Sequence, residues 1–173
     1  MTDASTRPVT LRAGTRADIP ALTAIYNHYV EHTVVTFDTT PFTPAEREAG
    51  WFVHYAPAGR HRLLVAETSG DVVGYATSSP HRPKAAYETS VETTIYLHPD
   101  ATGRGIGRIL YAELLDSLQT EDVHRALAGV ALPNDASTAL HERLGFTALG
   151  TFREVGRKFG RYVDVRWFER PIG

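Results

Sequence analysis

There is no cysteine among the 173 residues. That absence removes disulfides, thiolate metal ligands and a cysteine nucleophile together. No apolar run is long enough to cross a bilayer. Met1 to Thr10 is polar and lacks the apolar core of a secretory signal, so a soluble, cytoplasmic protein is the expectation. An excess of one charge is also missing: 18 Lys and Arg face 20 Asp and Glu, for a net charge of -2. Nothing in that balance calls for a nucleic-acid partner. Internal repeats, low-complexity tracts and linker-like stretches are absent as well.

What remains is an ordinary globular composition, 42% apolar. The length suits one domain with its own core and is short for two. The expected organisation is a flexible arm over 1–8 followed by a single domain over 9–173.

Val9 to Arg12 is a short strand candidate. Thr15 and Asp18 have capping-box spacing, Pro20 follows in the first turn, and Ile19, Leu22, Ile25, Tyr26, Tyr29 and Val30 recur at helical spacing. Thr43-Pro44-x-Glu46 starts a second helix, expected to run to about Tyr55. Leu63 to Thr68 and Val72 to Ser78 flank a tight Ser69-Gly70-Asp71 turn. Val91 to His98 is a further strand. Gly105 to Leu118 is helical, with Ile106, Ile109, Leu110, Leu114 and Leu118 on one face. Arg125 to Leu132 is a strand, and Asn134 caps a helix ending at Gly145. Phe146 to Val155 and Tyr162 to Glu169 close the chain. The order is roughly βααββββαβαββ. The early strands should be antiparallel, and the strand-helix-strand passage from Val91 to Leu132 parallel. The fold class is α/β with a mixed α+β sheet, mostly antiparallel and carrying helices on both faces.

The most informative stretch runs from Ile95 to Arg108. A strand ends, Gly103, Gly105 and Gly107 follow at alternate positions, and an amphipathic helix begins. Glycines allow positive φ and close backbone approach. The free N–H groups of the helix start, with the positive dipole end behind them, suit a pyrophosphate. Arg104 and Arg108 add charge. The bland alternative is a flexible connection before an ordinary helix. The loop is neither a P-loop, lacking Gly-Lys-Ser/Thr, nor a dinucleotide fingerprint, since Arg108 stands where the third glycine belongs.

These residues resemble a known family. Tyr96-Leu97-His98-Pro99 followed by Gly103-Arg104-Gly105-Ile106-Gly107 is similar to the acyl-CoA loop of the GNAT superfamily of N-acetyltransferases. Leu132-Pro133-Asn134-Asp135-Ala136-Ser137 followed by Leu140-His141-Glu142-Arg143-Leu144-Gly145-Phe146 resembles that superfamily's next segment. Ile25-Tyr26-Asn27-His28-Tyr29 and Gly156-Arg157-Lys158-Phe159-Gly160-Arg161 look like the phosphinothricin acetyltransferase-like, L-amino acid N-acetyltransferase branch. The resemblance covers about Leu11 to Phe168. Thr102 departs from it, standing where the superfamily has Gln or Arg.

The resemblance implies a GNAT fold and acetyl-CoA as co-substrate, without a metal. Ile95, Tyr96 and Leu97 would pair with the pantetheine arm. Gly103, Arg104, Gly105, Ile106, Gly107 and Arg108 would wrap the pyrophosphate. Asn134 and Ser137 would lie further along the arm, although Asn134 is equally well explained as a helix cap. Glu92 would be the general base. Alternation puts it on one strand face with Thr94 and Tyr96. His141 is a second catalytic candidate, two turns after Asn134 with Ser137 between them. Phe37, Arg82, Lys84 and Tyr87 are candidates for the acceptor side, Arg82 and Lys84 for a carboxylate. A homodimer is implied for the branch.

The expected reaction is direct acetyl transfer in a ternary complex to the amine of a small amino-acid-like molecule, such as phosphinothricin, methionine sulfone or methionine sulfoximine. No thiol of the protein is available to carry the acetyl group. Alternatives within the class are a protein N-terminus or another amine. From other classes come a CoA-binding protein without catalysis and a zinc metalloprotease, since His28-Tyr29-Val30-Glu31-His32 matches H-x-x-E-H.

Overall fold

The computed structural model describes residues 8–173. All of the expected arm except Pro8 therefore lies outside the described residues. The strands are β1 (Val9–Ala13), β2 (Leu63–Thr68), β3 (Asp71–Pro80), β4 (Ser90–Leu97), β5 (Arg125–Ala131), β6 (Thr147–Lys158) and β7 (Arg161–Pro171). The helices are α1 (Ile19–His32), α2 (Pro44–Gly50), α3 (Ile106–Leu118) and α4 (Asp135–Arg143). One seven-stranded sheet has the order β1-β2-β3-β4-β5-β7-β6. Every neighbouring pair is antiparallel except β4 with β5, which is parallel as the crossover through α3 requires.

Three differences from the sequence reading have local causes. The run between α2 and α3 holds three strands rather than four. Pro80 and Pro83 deprive the β3–β4 connection of ladder donors, and it carries a short 3-10 turn at Ala85–Tyr87 instead. The second helix stops at Gly50 rather than near Tyr55, and a 3-10 turn over Phe52–His54 follows. Trp51 leaves helical geometry there and lays its ring against Arg47, whose guanidinium carbon is 3.7 Å from the ring centre. Ile109 is exposed, while Tyr111 and Leu115 are fully buried beside Leu110, Leu114 and Leu118. The buried stripe of α3 thus sits one residue further round than the sequence suggested.

Strand alternation sorts the core into two layers. Leu63, Val65 and Tyr75 point to α1, where Leu22 and Ile25 meet them. Ala66, Ala76 and Val91 point the other way, to Leu110, Leu114 and Leu118 of α3 and to Phe146 and Phe168. Each fully buried leucine of that stripe contributes about 1.5–3 kcal/mol by leaving water.

The start of α1 is fixed by charge. Arg12 of β1 donates to both carboxylate oxygens of Asp18, at 2.8 and 2.7 Å, and also to Glu67 of β2. Asp18 further accepts from the Thr15 N–H and hydroxyl at 2.7 and 2.9 Å. Asp18 is 7% exposed, so these bonds are shielded from competing water. Asp18→Asn is expected to lower stability at neutral pH by about 2 kcal/mol. The Arg12 bond holds the Asp18 carboxyl at about 2, below its ordinary 3.8. A depressed carboxylate stabilises above its ordinary value and loses that contribution as pH falls through the folded value. Urea unfolding between neutrality and pH about 2 should show this acid-side loss in the parent and not in the variant.

Candidate active site

The parallel ladder between β4 and β5 is short. Ser90, Val91 and Glu92 pair with Arg125, Ala126 and Leu127, and pairing then stops. On its other side β4 stays on β3 as far as Leu97, and β5 stays on β7 as far as Ala131. The sheet therefore forks after Glu92. From Thr93 onward β4 presents an unpaired backbone edge inside the protein. The His98 N–H donates to Val73 of β3 at 2.8 Å. By alternation the Leu97 N–H points the opposite way, into the fork. The Leu97 carbonyl accepts the Tyr29 hydroxyl at 2.6 Å, tying the strand end to α1.

The glycine loop closes the far end of this edge. Gly103 and Gly105 have φ of +71° and +79°, a region that costs side-chain-bearing residues strain. Gly107 sits in the first turn of α3, against the end of β4. A Cβ there would stand 3.3 Å from Leu97 and 3.6 Å from Ile95. Its lack of a side chain lets the free N–H groups of the α3 start approach the open edge. Arg104 and Arg108 are exposed beside the loop. The Thr102 hydroxyl donates to the Pro99 carbonyl at 2.8 Å, so this departure from the superfamily pattern stabilises the preceding turn.

A buried polar chain stands at the fork. The Asn134 side-chain oxygen accepts from the Ser137 N–H at 3.1 Å, which caps α4 and keeps the amide nitrogen outside that bond. The His141 Nδ1 lies 2.7 Å from the Ser137 carbonyl, an acceptor, so Nδ1 carries the proton. Nε2 is then bare and accepts the Tyr111 hydroxyl at 3.2 Å. With the Tyr111 proton donated to His141, the single Thr93 proton is shared between the Tyr111 oxygen at 2.6 Å and the Leu127 carbonyl at 3.2 Å. Burial lowers the pKa of His141 and keeps it neutral. Its ring stacks on Phe168 and meets Phe146 edge-on. The Asn134–Ser137–His141 stripe inferred from spacing is therefore real. Thr93 and Glu92 alternate on β4, so His141 approaches the fork from the sheet face opposite Glu92.

Glu92 shares its face with Thr94 and Tyr96, as the alternation predicts. Its side chain is 35% exposed. Desolvation raises its pKa, and the charge of Arg82 opposes that rise. Beside it lies a cleft of about 380 Å³ lined by His81, Arg82, Leu127, Phe152 and Trp167, among others. Of the acceptor-side candidates, Arg82 lines this cleft and Tyr87 packs edge-on to His81. Lys84 is exposed in the connection, and no contact brings it to Glu92. Phe37 lies elsewhere along β6. Its ring covers Gly156, where a Cβ would fall 2.1 Å from it, whereas the cleft meets β6 at Leu149 to Phe152. His28 and His32 stand one turn apart on α1 with ring centres 5.0 Å apart. Among the described residues no group of three His, Cys, Asp or Glu forms a metal-binding cluster.

His81, Trp167, Thr93 and Tyr111 escaped the sequence reading. Tyr111 carried a faint signal, a hydroxyl-bearing residue on an apolar helix face. The other three carried none.

The acetyltransferase (GNAT) family model matches residues 22–146. The chain belongs to the GNAT acetyltransferase family. It is an N-acetyltransferase, and its forked sheet is that family's fold. It is 57% identical over 169 residues to a phosphinothricin N-acetyltransferase of Streptomyces coelicolor, covering 96% of this chain and 98% of the relative. It is 35% identical to an L-methionine sulfoximine/L-methionine sulfone acetyltransferase of Pseudomonas aeruginosa, over 88% of each chain. Among solved structures, a GNAT superfamily phosphinothricin acetyltransferase from Sinorhizobium meliloti in complex with AcCoA superposes with a TM-score of 0.90. That structure shares 34% identity, with 95% of this chain and 89% of the other covered.

For this N-acetyltransferase the loop geometry is testable. Gly105→Ala places a Cβ at φ +79° and should drive the loop out of the left-handed region. A distortion costing about 1 kcal/mol corresponds to roughly fivefold weaker coenzyme A binding, read by isothermal titration calorimetry.

Proposed function

We propose that this N-acetyltransferase moves the acetyl group of acetyl-CoA directly to the primary amine of a small amino-acid-like acceptor of the phosphinothricin, methionine sulfone or methionine sulfoximine type. The observation that carries this reading is the fork: an open β4 edge bounded by the loop amides at one end and by Glu92 at the other. Acetyl-CoA supplies the activated thioester. Ile95, Tyr96 and Leu97 offer their unpaired backbone to the pantetheine amides. The amides from Gly103 to Arg108 take the pyrophosphate, and Asn134 and Ser137 flank the arm. The Leu97 N–H donates to the acetyl carbonyl oxygen as charge gathers there.

An alkylammonium has no lone pair with which to attack, so a base must act first. Glu92 is that base. Burial raises its proton affinity, and the cleft beside it is within the size range of small-molecule sites. Arg82 receives the acceptor's carboxylate there. Tyr87 borders the same cleft through His81. Lys84 and Phe37 stand outside this cleft and take no part in this reading. His141 contributes through Tyr111 by fixing Thr93 at the fork. With no thiol available on the protein, both substrates are bound at once.

Glu92→Gln should lower kcat at neutral pH by at least about 100-fold while leaving coenzyme A affinity within about twofold. Free-thiol release in the presence of the three amino acids checks both rate and acceptor class. In the parent, activity should fall on the acid side with an apparent pKa above the ordinary carboxylate range. Turnover confined to peptide N-termini would favour the alternative acceptor class.

The assembly reading is a homodimer formed through the β6–β7 hairpin. Its support is that Leu149, Val155, Phe159 and Tyr162 are 53–61% exposed along this sheet edge. Val155→Asp should convert dimer to monomer in sedimentation velocity, and a parent that sediments as a monomer would end this reading.

A further inference from the structure

The cleft holds one polar atom with nothing to do. The Nδ1 of His81 is buried and has no hydrogen-bond partner. It faces Glu92, with Nδ1 3.8 Å from Oε2. The His81 side chain is 13% exposed. Its ring is clamped edge-on between Tyr87 at 5.8 Å and Trp167 at 5.9 Å. A buried unpaired nitrogen costs stability, so its retention beside a reactive carboxylate needs a reason.

The reason lies in the donor count. An ionised carboxylate only accepts. With no acceptor within hydrogen-bond distance of the buried Nδ1, the imidazole proton is assigned to Nε2, which leaves Nδ1 bare and able only to accept. Two acceptors facing one another cannot bond, and 3.8 Å is beyond a hydrogen bond. Once the carboxyl carries a proton, a small rotation of Glu92 makes O–H···Nδ1 bonding possible. We propose that His81 is a positioning residue for Glu92, its Nδ1 accepting a hydrogen bond from the Glu92 carboxyl after that group has taken the acceptor's proton. This rests on Glu92 as the base. In the step, the acceptor's N–H bond breaks and an O–H bond forms on Glu92. The electron pair left on nitrogen attacks the thioester carbonyl, a C–N bond forms, and the C–S bond then breaks to release the CoA sulfur as a thiolate. The site is thus complementary to the base after it has acted, which favours proton removal over the resting state.

The surroundings keep the imidazole neutral. Burial lowers the His81 pKa, and the charge of Arg82 lowers it further. Tyr87 comes from the 3-10 turn. Strand β7 offers Trp167, β5 offers Leu127 and β6 offers Leu149 to Phe152, none of them titratable. Glu92 is therefore the one acidic group in the set.

His81→Asn and His81→Leu are isosteric and lose the same ring packing, but only asparagine places an oxygen acceptor near the Nδ1 position. Leucine should lower kcat about 3- to 10-fold relative to asparagine, the effect of one hydrogen bond. It should also move the acid limb of the pH–rate profile down toward the ordinary carboxylate value. The KM for acetyl-CoA should be the same in both. Identical kcat and acid limbs in the two variants would overturn the role of His81 while an inactive E92Q enzyme kept Glu92 as base. A fully active E92Q enzyme would remove both.

Discussion

Everything at the site depends on one interruption of the sheet. Strands β4 and β5 bond over three rungs and then diverge, although each keeps its other neighbour. An interior strand edge left unpaired and dry costs about 1–3 kcal/mol for each buried group. Such an edge persists only where water or a ligand can reach it. The divergence is held from both sides. Strand β3 and Tyr29 keep β4 straight to Leu97, and β7 keeps β5 straight to Ala131. The Thr93–Tyr111–His141 chain supplies polar partners where the ladder fails, so the fork begins at a defined rung.

The same strand also divides the two faces of the sheet. Successive side chains of β4 point to opposite faces. Val91, Ile95 and Leu97 pack against the helix that follows the glycine loop. Glu92, Thr94 and Tyr96 face the layer of α1 and α2. Glu92 and the open β4 edge are therefore fixed to each other by a strand rather than by loops, and rigid elements hold a geometry more precisely. Gly107 links the two ends, since its missing side chain sets how close the helix start comes to Leu97.

Buried cations show how the α1–α2 face is kept in place. Arg47 is 6% exposed and lies between the rings of Trp51 and Tyr26, with no carboxylate bonded to it. Lys158, part of a segment noted only for its resemblance, is buried and donates to the Thr36 carbonyl at 2.8 Å. It anchors the end of β6 to the loop after α1. Both side chains would pass as surface residues in a sequence, because Tyr26 and Tyr75 around Arg47 and Thr36 at Lys158 lie far away along the chain.

Some features were written locally and could be read without a fold. The glycine loop needs particular backbone angles at adjacent residues, the caps at Thr43 and Asn134 act within three residues, and Glu92 stands out in a β-favouring run. The crossover through α3 dictated a parallel pair. Other features required residues distant in sequence to meet. Whether β4 and β5 part, and at which rung, depends on β3 and β7 holding them from outside. Whether His141 is exposed or buried depends on Tyr111 and Phe168. Whether Glu92 faces His81 depends on Trp167 and Tyr87 holding that ring. Local sequence determined which groups can do chemistry, because propensity and spacing act over a few residues. Tertiary packing decided which of them meet, because a hydrogen-bond partner is set by position in space.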